Sequence, residues 1–559
     1  MTSIVALEPR VALNTGGMLP RLNQIRNFVE WNLWAAPITK TIHDAKVVRE
    51  VSVGSPEQAH SEAWKVCRLW HQYGDFPRLL QYEGVNIGTV LEGFIWFLVF
   101  PILRQIDTAL DVLGADASKV YVESDFTPLG RAIACVAAAK HRSRRFIEPW
   151  LYRSVKNAAK AYWHFGNQRA ILEPSEVFAV APYASEQRVI FSCPHYSNYF
   201  NAVAPVVSQM RGGAYVLASE TLVSRKWSNC TALSVPTSRA VDTDKLENYY
   251  WRVVASPSFQ SLFRYRDIPF WNAVEQDFDY LVCRTAREVA RNIKHFRQVV
   301  ETVKPNAVVV AFDEAPSMRS HVLLAKALGI PTVEVQHGLL TPMSVYAEPV
   351  SDWFAAGGDS GKKVYVGTGV PEDRVVVTGF PRNDVYCKAQ ANGHQGRSVL
   401  FATNPLDAKR NLSIIGVLAE CCDSVVVKPH PSEKAALYLP MVRKHRNVTV
   451  RDSGQDIAPM IADCDVLVME DSTAGIEAAM MNKPIVNIGI AKTSVSPYVS
   501  AGIAASATSL DTLGEVVDSA LRDSHTIVAQ RERFVYDYAY LQDGKAAERV
   551  AELIKRVAR

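Results

Sequence analysis

Two stretches in the last third of the chain combine residue types that hold phosphate. Val425-Val426-Val427-Lys428-Pro429-His430-Pro431-Ser432-Glu433 is an apolar run that ends on a cation and an imidazole. Asp465-Val466-Leu467-Val468-Met469-Glu470-Asp471-Ser472-Thr473 is a second such run, ending on acids and hydroxyls just before a helical pattern from Ala474. Ser472 and Thr473 there can cap the helix while its free N–H groups meet a phosphate; the alternative is a plain N-cap. Lys428 and His430 suit donation to a leaving phosphate, the alternative being a structural His-Pro turn. Glu477, one turn into the helix, is placed for a ribose hydroxyl, or else is a surface carboxylate.

A second group of residues suits proton transfer. Asp313 and Glu314 end the apolar run Ala307–Phe312, where desolvation and mutual repulsion should raise one pKa. Such a carboxylate serves as general base or as nucleophile. Neighbours on a strand face opposite ways, so one of the two is expected to do chemistry. The competing reading is an acidic helix start before Ser317. His337, after Pro331–Val335, would orient donor or acid, or is a core histidine. His195, after Arg188–Ser192, is an acceptor-side candidate.

Other chemistries find little support. The triplets Asp242-Thr243-Asp244, Asp277-Phe278-Asp279 and Asp463-Cys464-Asp465 close no clear apolar strand. There is no Walker A or HExxH pattern, and Gly367-Thr368-Gly369 has Glu372 where a dinucleotide fingerprint needs glycine. No metal and no cofactor is expected.

These residues need strands to carry them. Unalternating β-branched runs are what parallel strands buried on both faces look like, and in open α/β sheets ligands sit at the carboxyl ends of such strands. From Arg397 onward strand and helix patterns alternate, which predicts a Rossmann-like sheet. A second α/β unit precedes it, built on the runs at 188–192, 307–312, 331–335 and 375–378. The polar stretch Ala389–Gly396 is the best boundary. The division expected is an α-rich extension over 1–165, a Rossmann-like acceptor domain over 166–390 with a helical insertion near 222–303, and a Rossmann-like nucleotide domain over 391–559.

Bulk properties agree with a soluble multi-domain globular chain. A chain of 559 residues exceeds what one core supports. The net charge of +4 is too small to argue for nucleic acid. The nine cysteines form no CxxC pair, which argues against a zinc site and for a reducing compartment. The apolar stretch Gly93–Leu103 is interrupted by Pro101 and falls short of the roughly 20 residues a spanning helix needs. It reads as a buried helix, or alternatively as a membrane-surface anchor.

Several short motifs carry a resemblance to bacterial surface-polysaccharide glycosyltransferases of the GT-B fold. Lys428-Pro429-His430-Pro431 is similar to the His-Pro motif of capsule and polysialic acid glycosyltransferases. Asp471-Ser472-Thr473 with Glu477 resembles their serine/threonine phosphate-binding motif. Asp313-Glu314 resembles their paired acidic motif, with Ala315 where the family usually has glycine. Gln336-His337-Gly338 is similar to a motif of surface-polysaccharide and Kdo transferases. Gly379-Phe380-Pro381-Arg382-Asn383-Asp384 resembles a motif of CDP-glycerol glycerophosphotransferases.

The resemblance implies a GT-B-like α/β fold, two Rossmann-like parallel-sheet domains facing a cleft, with a mostly helical N-terminal extension. It implies transfer from a nucleotide sugar, with a CMP-linked acidic sugar such as Kdo favoured, to a glycan or lipid-linked acceptor. The chain is expected in the cytoplasm, with peripheral contact at the inner face of the membrane as a variant. The rival readings are a CDP-glycerol-type phosphotransferase, a UDP-sugar 2-epimerase and a non-catalytic sugar-nucleotide-binding scaffold.

Overall fold

A computed structural model describes residues 3–5, 56–113, 119–122, 128–140, 143–146, 175–180, 187–194, 197–210, 212–235, 241–342, 345, 347–388, 396–404, 408–431, 433–489, 496–523 and 526–558. The chain divides into two compact units, Met1–Glu173 with Ser238–Ile293, and Pro174–Thr237 with Lys294–Arg559.

In the first unit three short strands, β1 (Ser3–Val5), β2 (Lys119–Val122) and β3 (Ser143–Phe146), form a parallel sheet. Its helices include α1 (Pro56–Leu69), α2 (Ile87–Leu113) and α3 (Pro128–Ala139). Pro101 does not stop α2, which runs on through it. Proline removes one backbone hydrogen bond and kinks a helix, yet packing on α1 and α3 carries this one past it. By length and composition α2 is the one helix among the described residues apolar enough to cross a membrane, and 67% of that stretch is buried in the protein. Inside it Glu92 is matched by His71, Nε2 to Oε1 at 3.0 Å. Segment 238–293 belongs here through a cluster of Trp70, Phe76, Phe259, Phe263, Trp271 and Phe278. Arg131 on α3 also donates to Asp277 at 2.5 Å. The sequence places this whole segment in an insertion near 222–303 of the following domain, whereas the chain groups it with the first unit.

The second unit holds two sheets. The first comprises β4 (Val177–Val180), β5 (Val189–Ser192), β6 (Ala214–Leu217), β7 (Cys230–Leu233), β8 (Ala307–Val310), β9 (Thr332–Val335), β10 (Trp353–Ala356) and β11 (Val375–Val377). Their spatial order is β11-β10-β9-β8-β5-β6-β4-β7, and β4 runs antiparallel to both neighbours. Helices α4 (Ser197–Gln209) and α5 (Pro316–Ala327) connect its strands.

The second sheet is β12 (Ser398–Ala402), β13 (Ser424–Lys428), β14 (Val448–Val450), β15 (Val466–Met469), β16 (Ile485–Ile488) and β17 (Ala505–Ala507), all parallel. The order β14-β13-β12-β15-β16-β17 reads 3-2-1-4-5-6 in chain order, that of the doubly wound dinucleotide-binding sheet. Its switch point lies between β12 and β15. Helices α6 (Ala408–Cys421) and α7 (Ala474–Met480) follow those two strands.

The end of the chain ties the sheets together. Helix α8 (Val528–Ala539) buries Phe534, Val535 and Ala539 in the second sheet's core. The chain then turns at Tyr540, a non-glycine residue with φ +63. Helix α9 (Ala546–Val557) buries Ala547, Val550, Ala551, Leu553 and Ile554 in the core of the first sheet. Residues 546–557 thus pack on the sheet formed before the expected boundary at 389–396, of which 389–395 lie outside the described residues. Two Rossmann-like sheets with a returning C-terminal helix make a GT-B-like α/β architecture.

Candidate functional site

The carboxyl ends of strands from both sheets meet at Gly338 and Thr473. A Cβ placed on Gly338 would lie 2.8 Å from Thr473 Cγ2, so the glycine permits the approach. Gly338 is held from below by Gln336, whose Nε2 donates to Gly338 O and whose Oε1 accepts from Gly357 N, both at 2.8 Å.

His337 stands beside this contact, half-buried. Its Nδ1–H donates to Ala311 O at 3.0 Å, which leaves Nε2 as the acceptor of the neutral ring. Tyr199 meets the ring edge-on and Phe312 at a tilt. Desolvation, with the Arg382 cation second, holds the imidazole down to about 4.

On the other side, Thr473 is the N-cap of α7 and Ser472 Oγ accepts from Ala474 N at 3.3 Å. Asp471 before them has φ +47, and its N–H donates to Asn487 Oδ1. One turn on, Glu477 is 4% exposed and pairs with Arg382, Nη2 to Oε1 at 2.9 Å. Burial raises its pKa, opposed by Arg382. Glu477 Oε2 and Arg382 Nε are buried with no hydrogen-bond partner among the described residues.

The acid pair turns inward. Asp313 is fully buried, and its Oδ2 accepts from Val350 N and Ser351 N at 2.8 and 2.7 Å. Glu314 Oε2 accepts from Ala347 N at 2.9 Å. Both carboxylates therefore hold the backbone at Ala347, Val350 and Ser351. Asp313 Oδ1 has no partner among the described residues. A third acid, Glu334 in mid-β9, takes Tyr365 OH at 2.7 Å and Asp313 N at 3.3 Å. Burial, then the charge of Asp313, pushes it well above the usual carboxylate range.

The Lys-Pro-His-Pro loop is braced from behind. Lys428 is buried and its Nζ donates to Ser453 O at 2.7 Å and Pro429 O at 3.1 Å, tying the ends of β13 and β14 together. Burial lowers its pKa. His430 is exposed, and its backbone N–H reaches Thr403 Oγ1 and Glu433 Oε2. Glu433 accepts in turn from Tyr438 OH at 2.5 Å and from Thr403 Oγ1. Near the switch point Arg410 pairs with Glu470.

The structure thus brings His337, Ser472, Thr473 and Glu477 to one locus, and places Asp313 and Glu314 beneath it. His195 lies outside the described residues. Sequence reasoning missed Glu334 and Arg382. An acid in the otherwise apolar run Pro331–Val335 was the available signal for the first. Arg382 lay inside a motif noted only for its resemblance.

No family model and no curated protein matches the chain. Among solved structures, the S. aureus MnaA–UDP co-structure is 14% identical, covering 66% of this chain and 96% of that one at a TM-score of 0.43. UDP-GlcNAc 2-epimerase from Neisseria meningitidis bound to UDP-GlcNAc is 14% identical over 66% and 100%, at 0.41. The glycotransferase of kitacinnamycin is 14% identical over 67% and 100%, at 0.41. Likenesses this weak decide nothing about the site, which stands on this chain's own residues.

Proposed function

We propose that the chain is a metal-independent glycosyltransferase, moving a sugar from a nucleotide-sugar donor to a growing bacterial surface polysaccharide or lipid-linked glycan. One observation carries the reading: one turn into the helix that Ser472 and Thr473 precede, where two sets of strand ends meet, Glu477 keeps a buried carboxylate oxygen without a partner among the described residues. Buried polar atoms are rarely left open without a reason, and a hydroxyl next to a phosphate fits this one. In this reading Ser472 and Thr473 take the phosphate and Glu477 a ribose hydroxyl. His430 contacts the donor from the neighbouring loop, and Lys428 holds that loop in place.

His337 Nε2 is proposed to receive the hydrogen bond of the acceptor hydroxyl. The ring is neutral at pH 7, so its lone pair is available, and its low basicity suits orientation. Asp313 and Glu314 fix the segment above them, with Asp313 Oδ1 the remaining acceptor. A CMP-linked acidic sugar such as Kdo is the favoured donor, on motif resemblance alone. We propose that no cofactor is needed and that the enzyme works in the cytoplasm, with peripheral contact at the membrane's inner face as a variant.

Transfer assays with CMP-, UDP- and GDP-sugars test the reading on D313N, E314Q, H337Q and H430A. Near-wild-type rates in all four would sink the site assignment. A phosphodiester product, or sugar turnover without acceptor, would replace glycosyl transfer with one of the rival reactions.

A further inference from the structure

Arg382 and Glu477 face one another with part of their hydrogen-bonding capacity unused. Nη2 lies 2.9 Å from Oε1 in an ion pair, while Arg382 Nε and Glu477 Oε2 are buried with no partner among the described residues. Guanidinium and carboxylate pair most strongly side-on, through two parallel N–H···O bonds. That arrangement would satisfy both open atoms, and this pair does not make it.

A loose loop is not the reason. Thr378 O, just before the Arg382 loop, accepts from Arg549 Nε at 2.8 Å. Asp384, just after Arg382, accepts from Ala546 N and Ala547 N at 2.9 and 2.8 Å. Phe380 is packed in the second sheet's core, and Asn383 Nδ2 donates to Met480 Sδ at 3.3 Å. Arg382 is held on a rigid frame, as a ligand-reading side chain needs to be.

We propose that Arg382 is a substrate-contacting specificity residue, whose Nε–H forms with Glu477 Oε2 a donor–acceptor clamp for one hydroxyl of a vicinal diol. The inference rests on the nucleotide-sugar reading, since the diol belongs to the ribose or to the transferred sugar. A hydroxyl both donates and accepts, so it fills the two open atoms at once. A phosphate oxygen only accepts and is repelled by Glu477, and an ammonium group only donates and is repelled by Arg382. The clamp therefore reads the neutral, hydroxylated part of the donor.

Calorimetric binding of CMP, CDP, UMP and UDP to the full chain identifies the tightest nucleotide. That nucleotide, its 2′-deoxy and 3′-deoxy forms and its sugar conjugate are then titrated into wild type, R382Q and R382K. Wild type is expected to prefer the ribonucleotide over at least one deoxy form by about tenfold, as loss of a hydrogen bond to a charged group implies. Both variants are expected to lose that preference. R382K retains a cation for Glu477, so it carries the test if R382Q does not fold. If the preference is absent but the variants lose about tenfold for the sugar conjugate alone, the hydroxyl is the sugar's and the clamp stands. Binding of every ligand alike by wild type and variants would overturn it. A wild-type chain that binds none of the nucleotides or conjugates would overturn instead the nucleotide-sugar reading.

Discussion

Gly338 and Thr473, from the ends of β9 and β15, approach so closely that a single methyl group on the glycine would come within 2.8 Å of the threonine Cγ2. The contact joins the two sheets where the candidate site lies. G338A is therefore expected to push Thr473 off its position, at an overpacking cost of about 1–3 kcal/mol and with a larger effect on donor binding. T473S deletes Cγ2 and keeps the hydroxyl. The double variant G338A/T473S should recover most of what G338A loses. A double-mutant cycle on Kd and Tm reads the coupling, and additive losses would refute the steric account.

Much of this architecture was legible in the sequence, and the reasons it failed elsewhere are physical. The runs 307–310, 398–402, 425–427 and 466–469 are mostly apolar with no alternation, and each lies in a largely buried parallel strand. Trp353–Ala356 and Ala214–Leu217 contain alanine, a poor strand former, and are strands because each is paired in the sheet. Helix Ala546–Val557 shows its amphipathic period plainly. Nothing in that period says which sheet the helix covers. Ser472, Thr473 and Glu477 follow from a strand-to-helix grammar that is local. The Arg382–Glu477 pair joins residues almost a hundred positions apart and exists only in the fold.

Glu334 should make stability depend on pH. Burial and the neighbouring Asp313 raise its folded pKa well above the unfolded value of about 4.3. Between those two values the folded state binds more protons than the unfolded state, so stability falls as pH rises. The stabilisation is complete below the unfolded pKa and is lost through the folded one. E334Q removes the titration and keeps an oxygen for one of the two donors. Its Tm relative to wild type is expected to improve steadily from pH 4 upward. A difference that stays constant with pH would contradict the assignment.

His337 is expected to be neutral throughout the physiological range. Its imidazole is held down to about 4 by desolvation, with Arg382 adding to the shift. An NMR titration of the ring should show its midpoint there, and R382Q should move it upward, because a neighbouring cation is removed. H337N can still donate to Ala311 O but lacks the Nε2 lone pair. It is expected to fold with a Tm near wild type and to lose about 100-fold in turnover, the order that misplacing a reacting group costs.

Lys428 offers a test of tether against ligand. Its ammonium group is spent on Ser453 O and Pro429 O. K428M should therefore lower Tm through two abandoned carbonyls, at about 1–3 kcal/mol. Its effect on nucleotide affinity should be indirect, with an unchanged salt dependence of binding. A flattened salt dependence would mean that the lysine meets the phosphate itself.

Asp384 secures the return of the chain to the first sheet. Its two oxygens accept from Ala546 N and Ala547 N, at the start of the helix that buries Val550, Leu553 and Ile554 under that sheet. The residue is thus a helix cap supplied from 162 positions earlier in the chain. Loss of a cap costs about 0.5–2 kcal/mol, and here both bonds go together in D384A. D384N keeps one acceptor oxygen and should cost about half as much. Urea unfolding gives both values, and equal losses for the two variants would mean that the carboxylate's charge, not its pair of acceptors, holds the helix. Because the same residue ends the loop that carries Arg382, D384A should also weaken nucleotide binding. D384N, with one bond still in place, should weaken it less.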